Sequence, residues 1–155
     1  MPGAAPLATC TGLVSRPASP ADRAFRWQLL VDTMRPYIEA TWGWDEADQQ
    51  RRFDAACALT DRHVLELQGE AIGLLHVEFD ARPVCLLNLQ IAPAHQRRGH
   101  GAAVITAVIE RAGVAPVWLQ VLKSNPARRL YERLGFEVTD ATQTHWRMLR
   151  AGRLS

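Results

Sequence analysis

Gln96-Arg97-Arg98-Gly99-His100-Gly101-Ala102 is the stretch whose residue types could hold a phosphate. Two glycines let a backbone turn tightly and approach a ligand closely. Where such a turn opens a helix, the free N–H groups carry partial positive charge. The flanking pattern fits that junction. Leu87, Leu89 and Ile91 alternate as a strand would, Pro93 ends the ladder, and Val104, Ile105, Val108 and Ile109 recur at helical spacing. A phosphate or pyrophosphate suits such a turn. A Walker loop would need a lysine here, and none is near. A dinucleotide fingerprint would read Gly99-x-Gly101-x-x-Val104, with valine in place of the third glycine. It would also need an acidic residue where Trp118, Leu119 and Gln120 stand, and too little chain follows for a second mononucleotide half.

A sheet and its helices must position that turn. Residues 7–16 read as a strand stopped by Pro17. Ser19 caps a helix with Pro20 in its first turn, and Trp27, Leu30, Val31, Met34 and Ile38 form its apolar face. Pro36 is expected to kink or interrupt it, and Gly43 to end it. Asp45 caps a second helix running to about Leu59, with Phe53 and Cys57 inward. Residues 63–68, 71–79 and 84–91 read as a meander with turns at 68–70 and 80–83. Residues 117–122 form a further strand. Asn125 caps a short helix, with Pro126 as its first residue, that runs through Leu134 to Gly135. Residues 136–138 and 145–149 are the last strands. The order β-α-α-β-β-β-α-β-α-β-β is that of an α+β, or mixed α/β, single domain spanning residues 1–155.

The loop matches the Q/R-x-x-G-x-G/A pattern of the GCN5-related N-acetyltransferases (GNAT). Asn125-Pro-Ala-Arg-Arg-Leu-Tyr131-Glu-Arg-Leu-Gly135-Phe136 resembles the same family's second cofactor segment, Asn-x-x-Ala-x-x-x-Tyr-x-x-x-Gly-Phe, with Ala127 one place nearer the asparagine. The resemblance covers residues 60–140 well and the two N-terminal helices in outline, and suggests a small, single-domain bacterial-type member. It implies a twisted, mostly antiparallel sheet of six to seven strands flanked by about four helices. It also implies acetyl-CoA as co-substrate. The amides of residues 98–102 can cradle its pyrophosphate, helped by Gln96, Arg97 and Arg98, with His100 acting through its backbone. The exposed backbone of Leu89 and Ile91 can pair with the pantetheine arm, provided the strand splays from Val117–Leu122. That splay is implied by the resemblance alone.

Acyl transfer from a thioester to an amine needs a neutral amine and a stabilised departing thiolate. Tyr131, at the edge of the stripe Ala127, Leu130 and Leu134, can supply a proton or hydrogen bond to the thiolate, as the family's matching tyrosine does. A half-buried structural tyrosine is the alternative. Asn125 is both a cap and a cofactor contact, whereas Arg128 and Arg129 are either adenosine-phosphate contacts or surface charges. Many family members carry a glutamate on the strand before the loop, but Cys85-Leu-Leu-Asn88-Leu-Gln90 holds no carboxylate. His76 and Glu78 share one strand face, and Asn88 and Gln90 share another. One register brings the four together and a one-residue slip parts them. Glu78 is the leading base, with Glu39, Asp45 and Glu46 as rivals. Trp42, Trp44 and Glu46, with Asn88 and Gln90, are the candidate acceptor contacts; simple helix packing would equally explain the tryptophans.

Composition excludes several other classes. A net charge of +2 does not suggest bulk nucleic-acid binding. No apolar run reaches the roughly 20 residues of a membrane span, and the N-terminus lacks the features of a secretory signal. Cys10, Cys57 and Cys85, odd in number and in apolar contexts, read as buried free thiols of a cytoplasmic protein. His63, His95 and His145 show no metal spacing, and no metal is expected. The expected activity is acetyl transfer to a primary amine of a small molecule or protein, by direct attack in a ternary complex. The partner is an amine-bearing acceptor, with no nucleic acid or membrane, and the sequence is compatible with a homodimer. A non-catalytic acyl-CoA-binding domain of the same fold is the alternative.

Overall fold

The computed structural model describes residues 5–59 and 61–152. Seven strands form one sheet in the order β1-β2-β3-β4-β5-β7-β6. They are β1 (Leu13–Pro17), β2 (Arg62–Leu67), β3 (Glu70–Glu78), β4 (Val84–Ile91), β5 (Val117–Leu122), β6 (Glu137–Ala141) and β7 (His145–Arg150). The helices are α1 (Arg23–Trp42), α2 (Glu46–Cys57), α3 (His100–Ala112) and α4 (Arg128–Arg133). Every pairing is antiparallel except β4 with β5. Parallel neighbours need a long crossover, and α3 provides it. This is the α+β architecture expected, with seven strands and four helices.

Several expected boundaries move, each for a local reason. The strand expected from residue 7 begins at Leu13, because Gly12, at φ 94°, folds the preceding segment back on β1. Ser15 N then donates to Leu7 O, and Ala8 bridges to Val14. The helix expected at Ser19 opens as a 3-10 turn, Pro20–Asp22. Asp22 there takes an N–H from Ser19 at 2.7 Å and an ion pair from Arg16, which holds its carboxyl down to about 2. Pro36 does not interrupt α1, because both it and Asp32, whose carbonyl it leaves unbonded, are exposed and water can serve instead. Leu29 and Arg26 are the buried residues of α1, and Trp27, Leu30 and Met34 are only half-buried. Asp45 caps α2 by accepting from Asp48 N at 3.0 Å. Cys10 is exposed rather than buried, because it lies in the turn before β1; Cys57 and Cys85 are half-buried, and all three are free.

The two faces of the sheet differ. Under α3 and α4, Leu13, Ile72, Val104, Ile105, Val108, Leu119, Phe136 and Met148 belong to one apolar cluster. Under α1 and α2 the cluster is much smaller, formed by Leu29, Val64 and Leu74 with Phe25. Leu87 decides which β4 residues face which side. His76 pairs with Asn88 but Val77 pairs with Leu86, so Leu87 is an extra residue in the ladder. Strict alternation of Leu87, Leu89 and Ile91 therefore fails. Leu86 joins Ile91 in the large cluster, where Leu89 also packs, while Leu87 is 42% exposed. A bulge of this kind bends its strand and sharpens its twist.

Candidate active-site cleft

Beyond the bulge β4 leaves its parallel neighbour. The two pair at Val84↔Val117, Cys85↔Trp118 and Leu86↔Leu119 and no further, although β4 runs on to Ile91 and β5 to Leu122. The edge of β4 from Leu87 onward is thus unpaired on the β5 side. A backbone edge of this kind offers N–H and C=O groups to an extended, amide-bearing ligand.

One mouth of the opening is a cavity of about 450 Å³. Leu89, Gln90 and Ile91 of β4 line it, as do Gln96, Arg97 and residues 99–102 of the loop, and Asn125 and Tyr131. Gly99 is the N-cap of α3 at φ 82°, a conformation that suits glycine, and Arg97 before it is also left-handed at φ 62°. The first helical bond of α3 runs from Ala103 N to Gly99 O at 3.0 Å, so the amides of His100, Gly101 and Ala102 have no helical partner. The loop side chains divide the work. Gln96 Nε2 donates to Ile91 O at 2.9 Å and ties the loop to the end of β4. The buried imidazole of His100 meets Thr11 Oγ1 at 2.7 Å through Nδ1, fixing the helix start to the turn before β1. Arg97 lines the cavity; Arg98 is exposed and outside its lining.

Asn125 and Tyr131 close the other wall. Ala127 N donates to Asn125 Oδ1 at 2.9 Å, so Asn125 caps a turn rather than α4 itself. The helix starts at Arg128, two residues later than expected, because the first turn after Pro126 closes by bonds of 3-10 type. Tyr131 packs edge-on against Phe136, with ring centroids 5.9 Å apart. Burial pushes its phenol up to about 12, with no hydrogen bond opposing the shift. A phenol so placed remains a proton donor across the neutral range. Arg128 and Arg129 are not part of the cavity's lining; Arg128 pairs with Glu132 at 2.6 Å and stacks over Trp146.

A second cavity of about 280 Å³ continues from Tyr131, Asn125 and Leu89 toward Leu86, Leu87, Asn88 and Leu119. Trp42 and His145 complete it on the α1 side. Thr41 Oγ1 lies 3.2 Å from Ser124 Oγ, which donates to Tyr37 O, and this ties the end of α1 to the segment after β5. His145 pairs with Leu122 at the start of β7, and Met148 and Trp146 pack into the large cluster. Alternation therefore puts His145 on the α1 face. Its ring lies 6.0 Å from that of Trp42, and its Nδ1 is 2.8 Å from Thr144 Oγ1. Burial, and then Arg147, hold its proton affinity below the ordinary value.

The expected polar residues separate here. The register His76↔Asn88 brings His76, Asn88 and Gln90 to one face of the sheet. Asn88 lines the second cavity, whereas buried His76 meets Asp61 at 3.1 Å. Glu78, opposite Cys85 at the far end of β3, lines neither cavity. Asp61, His76 and Glu78 each bring one ligand atom within 4.8 Å of the others, a trio that could hold a cation outside the cleft. Trp42, 61% exposed, lines the second cavity and Trp44 does not, although both line a wider one of about 750 Å³ at the joint of α1 and α2, with Asp45. Trp44 lies 6.1 Å from Trp27 and donates to Glu46 at 2.7 Å, so both Trp44 and Glu46 belong to the joint between α1 and α2. His145 carries no motif; only its place in β7, next to β5, brings it to the cleft.

Comparison with known proteins gives this geometry relatives. Residues 60–138 match the acetyltransferase (GNAT) domain family. The ribosomal protein bS18-alanine N-acetyltransferase of Haemophilus influenzae is 35% identical over 71 residues, 44% of this chain and 49% of that protein. Its Escherichia coli counterpart is 46% identical over 55 residues, 33% of this chain and 37% of that protein. The chain thus spans at most about half the length of the curated relatives it matches. The PaiA N-acetyltransferase of Thermoplasma acidophilum, solved with coenzyme A, superposes with a TM-score of 0.73 at 15% identity, over 90% of this chain and 98% of that one. The Vibrio cholerae spermidine N-acetyltransferase, solved with coenzyme A and spermine, gives 0.63 at 22% identity, over 91% and 96%. Among the described residues no helix is long and apolar enough to cross a membrane.

Proposed function

The chain belongs to the GNAT acetyltransferase family, and we propose that it transfers the acetyl group of acetyl-CoA to a primary amine by direct attack in a ternary complex. The observation that carries this reading is the parting of β4 from β5 after Leu86, between the α3 turn at one mouth and His145 at the other. The free amides of residues 100–102 suit the pyrophosphate, and the unpaired edge at Leu89 and Ile91 suits the pantetheine arm. The coenzyme A-bound fold relative and the bS18-alanine relatives support the same donor and an amine acceptor.

Within the ternary complex the chain's own groups have separable roles. Asn88 and the backbone at Leu87 border the thioester's side of the cavity, and Trp42 forms the acceptor's wall. The amine nitrogen bonds to the thioester carbon, the carbon–sulfur bond breaks, and the departing sulfur takes the phenolic proton of Tyr131. The proton lost by the amine passes to His145, whose Nε2 keeps its lone pair when Nδ1–H donates to Thr144. Proton exchange through water returns Tyr131 and His145 to their starting states. His145 takes the role first expected of Glu78, because His145 lines the cavity that holds Tyr131 and Glu78 does not.

Incubation with acetyl-CoA and a panel of amines, with free thiol followed over time, tests the reading. Thiol release that depends on an amine, with the acetylated amine recovered, is the expected result. Tight binding of acetyl-CoA with no release for any amine would instead identify an acyl-CoA-binding domain.

A further inference from the structure

Arg26 occupies a place on α1 where an amphipathic helix normally buries an aliphatic residue. It is 6% exposed, and its Nε is buried without a hydrogen-bond partner. Among the described residues no carboxylate forms an ion pair with it. The guanidinium carbon lies 5.9 Å from the centre of the Phe53 ring, a contact that favours a cation without neutralising it. The terminal nitrogens of Arg26 make no hydrogen bond among the described residues and are not sealed off, so they are open to an anion that enters beside them.

The neighbourhood of Arg26 is a cavity of about 170 Å³ between α1, α2 and the sheet. Arg52, Arg62, Gln49, Asn88 and Gln90 supply the rest of its polar lining, and no acidic residue lines it. Arg52 and Arg62 have partners elsewhere, Asp48 at 2.8 Å and Asp61 at 2.9 Å. Arg26 is the uncompensated charge. Leu30, Phe53, Ala56 and Leu74 form the apolar remainder. At roughly 30 Å³ for a water-sized group, the space suits a carboxylate and a few carbons.

This cavity adjoins the cleft through β4. Asn88 lines both it and the cavity that holds Tyr131 and His145. Gln90 lines both it and the cavity at the loop. The two amides meet: Gln90 Nε2 donates to Asn88 Oδ1 at 3.1 Å, while Gln90 Oε1 lies 3.2 Å from Thr33 Oγ1, whose hydrogen goes to Leu29 O at 2.7 Å. The amide N–H groups of Asn88 make no hydrogen bond among the described residues. One side chain therefore separates a place for an anion from the place where the amine must attack.

We propose that this cavity binds a carboxylate of the acceptor, with Arg26 as its principal contact. The acceptor is then an amino acid-like molecule with several carbons between its two ends, its amine in the cleft and its carboxylate against Arg26. A polyamine, carrying only positive charge, is disfavoured at the same place. The proposal rests on the acetyl-transfer reading only for the identity of the reacting amine.

Binding without turnover tests it. The protein loaded with coenzyme A is titrated calorimetrically with 4-acetamidobutanoate and 6-acetamidohexanoate, whose nitrogen and carboxylate are far enough apart to pass Asn88, and separately with their primary amides. The acids should bind ~10-fold or more tightly than the amides, as a desolvated charge pair does. The preference should vanish in Arg26→Gln and in Arg26→Met, the second chosen because methionine fills the space without a buried charge and keeps the protein folded. Affinity for coenzyme A should be the same in all three proteins. Equal binding of acids and amides by the wild type, or a preference that survives both substitutions, would overturn the proposal. Acid preference without thiol release from acetyl-CoA would sink the catalytic reading and leave the anion site standing; thiol release without acid preference does the reverse.

Discussion

On the α3 side of the sheet Val104, Ile105 and Val108 are fully buried among aliphatic neighbours, whereas on the α1 side the sheet covers Arg26, His76 and Gln90. In the function proposed above, the α3 turn meets the donor and the α1 side, with His145 and Arg26, meets the acceptor. A pyrophosphate and a pantetheine arm are the same in every turnover, so they can be met by backbone groups carried on a close-packed, rigid support. An acceptor is recognised by its own functional groups, and those call for buried polar side chains that are stable only when paired. The difference teaches that the two halves draw on different reserves of stability, packing in one and polar satisfaction in the other.

The largest test of that contrast is Ile105→Ala. A cavity under α3 should lower unfolding stability by about 2–5 kcal/mol in chemical denaturation. A loss below about 1 kcal/mol would mean that the α3 side is no better packed than the other. Next comes Tyr131→Phe, which keeps the ring against Phe136 and removes the proton. Turnover should fall by ~10²-fold or more with coenzyme A affinity intact; an unchanged rate removes Tyr131 from the mechanism.

The smallest effect belongs to the acceptor half. Burial, and then Arg147, lower the proton affinity of His145 from the ordinary 6.5 and so favour its neutral form. As a base it works deprotonated, so turnover should rise with pH through a value below 6.5 and then level off. Thr144, Trp42 and Arg147 are the groups about the ring, and none is acidic. His145→Gln should remove the acid limb and cut the plateau by roughly 10-fold, little for a base because a neutral amine needs none until it has attacked. A limb that persists in the variant would assign the proton to another group.

The donor half was legible in the sequence because backbone conformation restricts residue choice. Gly99 stands at φ 82°, and Asn125 and Gly135 mark the turns around α4. The acceptor half was far less so. Leu87 is a leucine among leucines, and nothing in its type says that it is the extra residue. Arg26 belongs to no motif and lies outside the apolar face that the spacing of Trp27, Leu30, Val31, Met34 and Ile38 picks out. His145 reaches the cleft because β7 inserts between β5 and β6, an order that pattern alone does not give. Glu78 was on the expected face and still lay outside the cleft, since a shared face does not fix position along the strand.

A strand keeps count in twos, and Leu87 is the odd number. One residue resets the parity of β4, so that Leu86 and Leu89, three apart, look the same way. The opening between β4 and β5 begins at the place where that count breaks. Replacing Leu87 with another residue leaves the count as it is. A chain shorter by that one position would restore an even tally and still carry every motif.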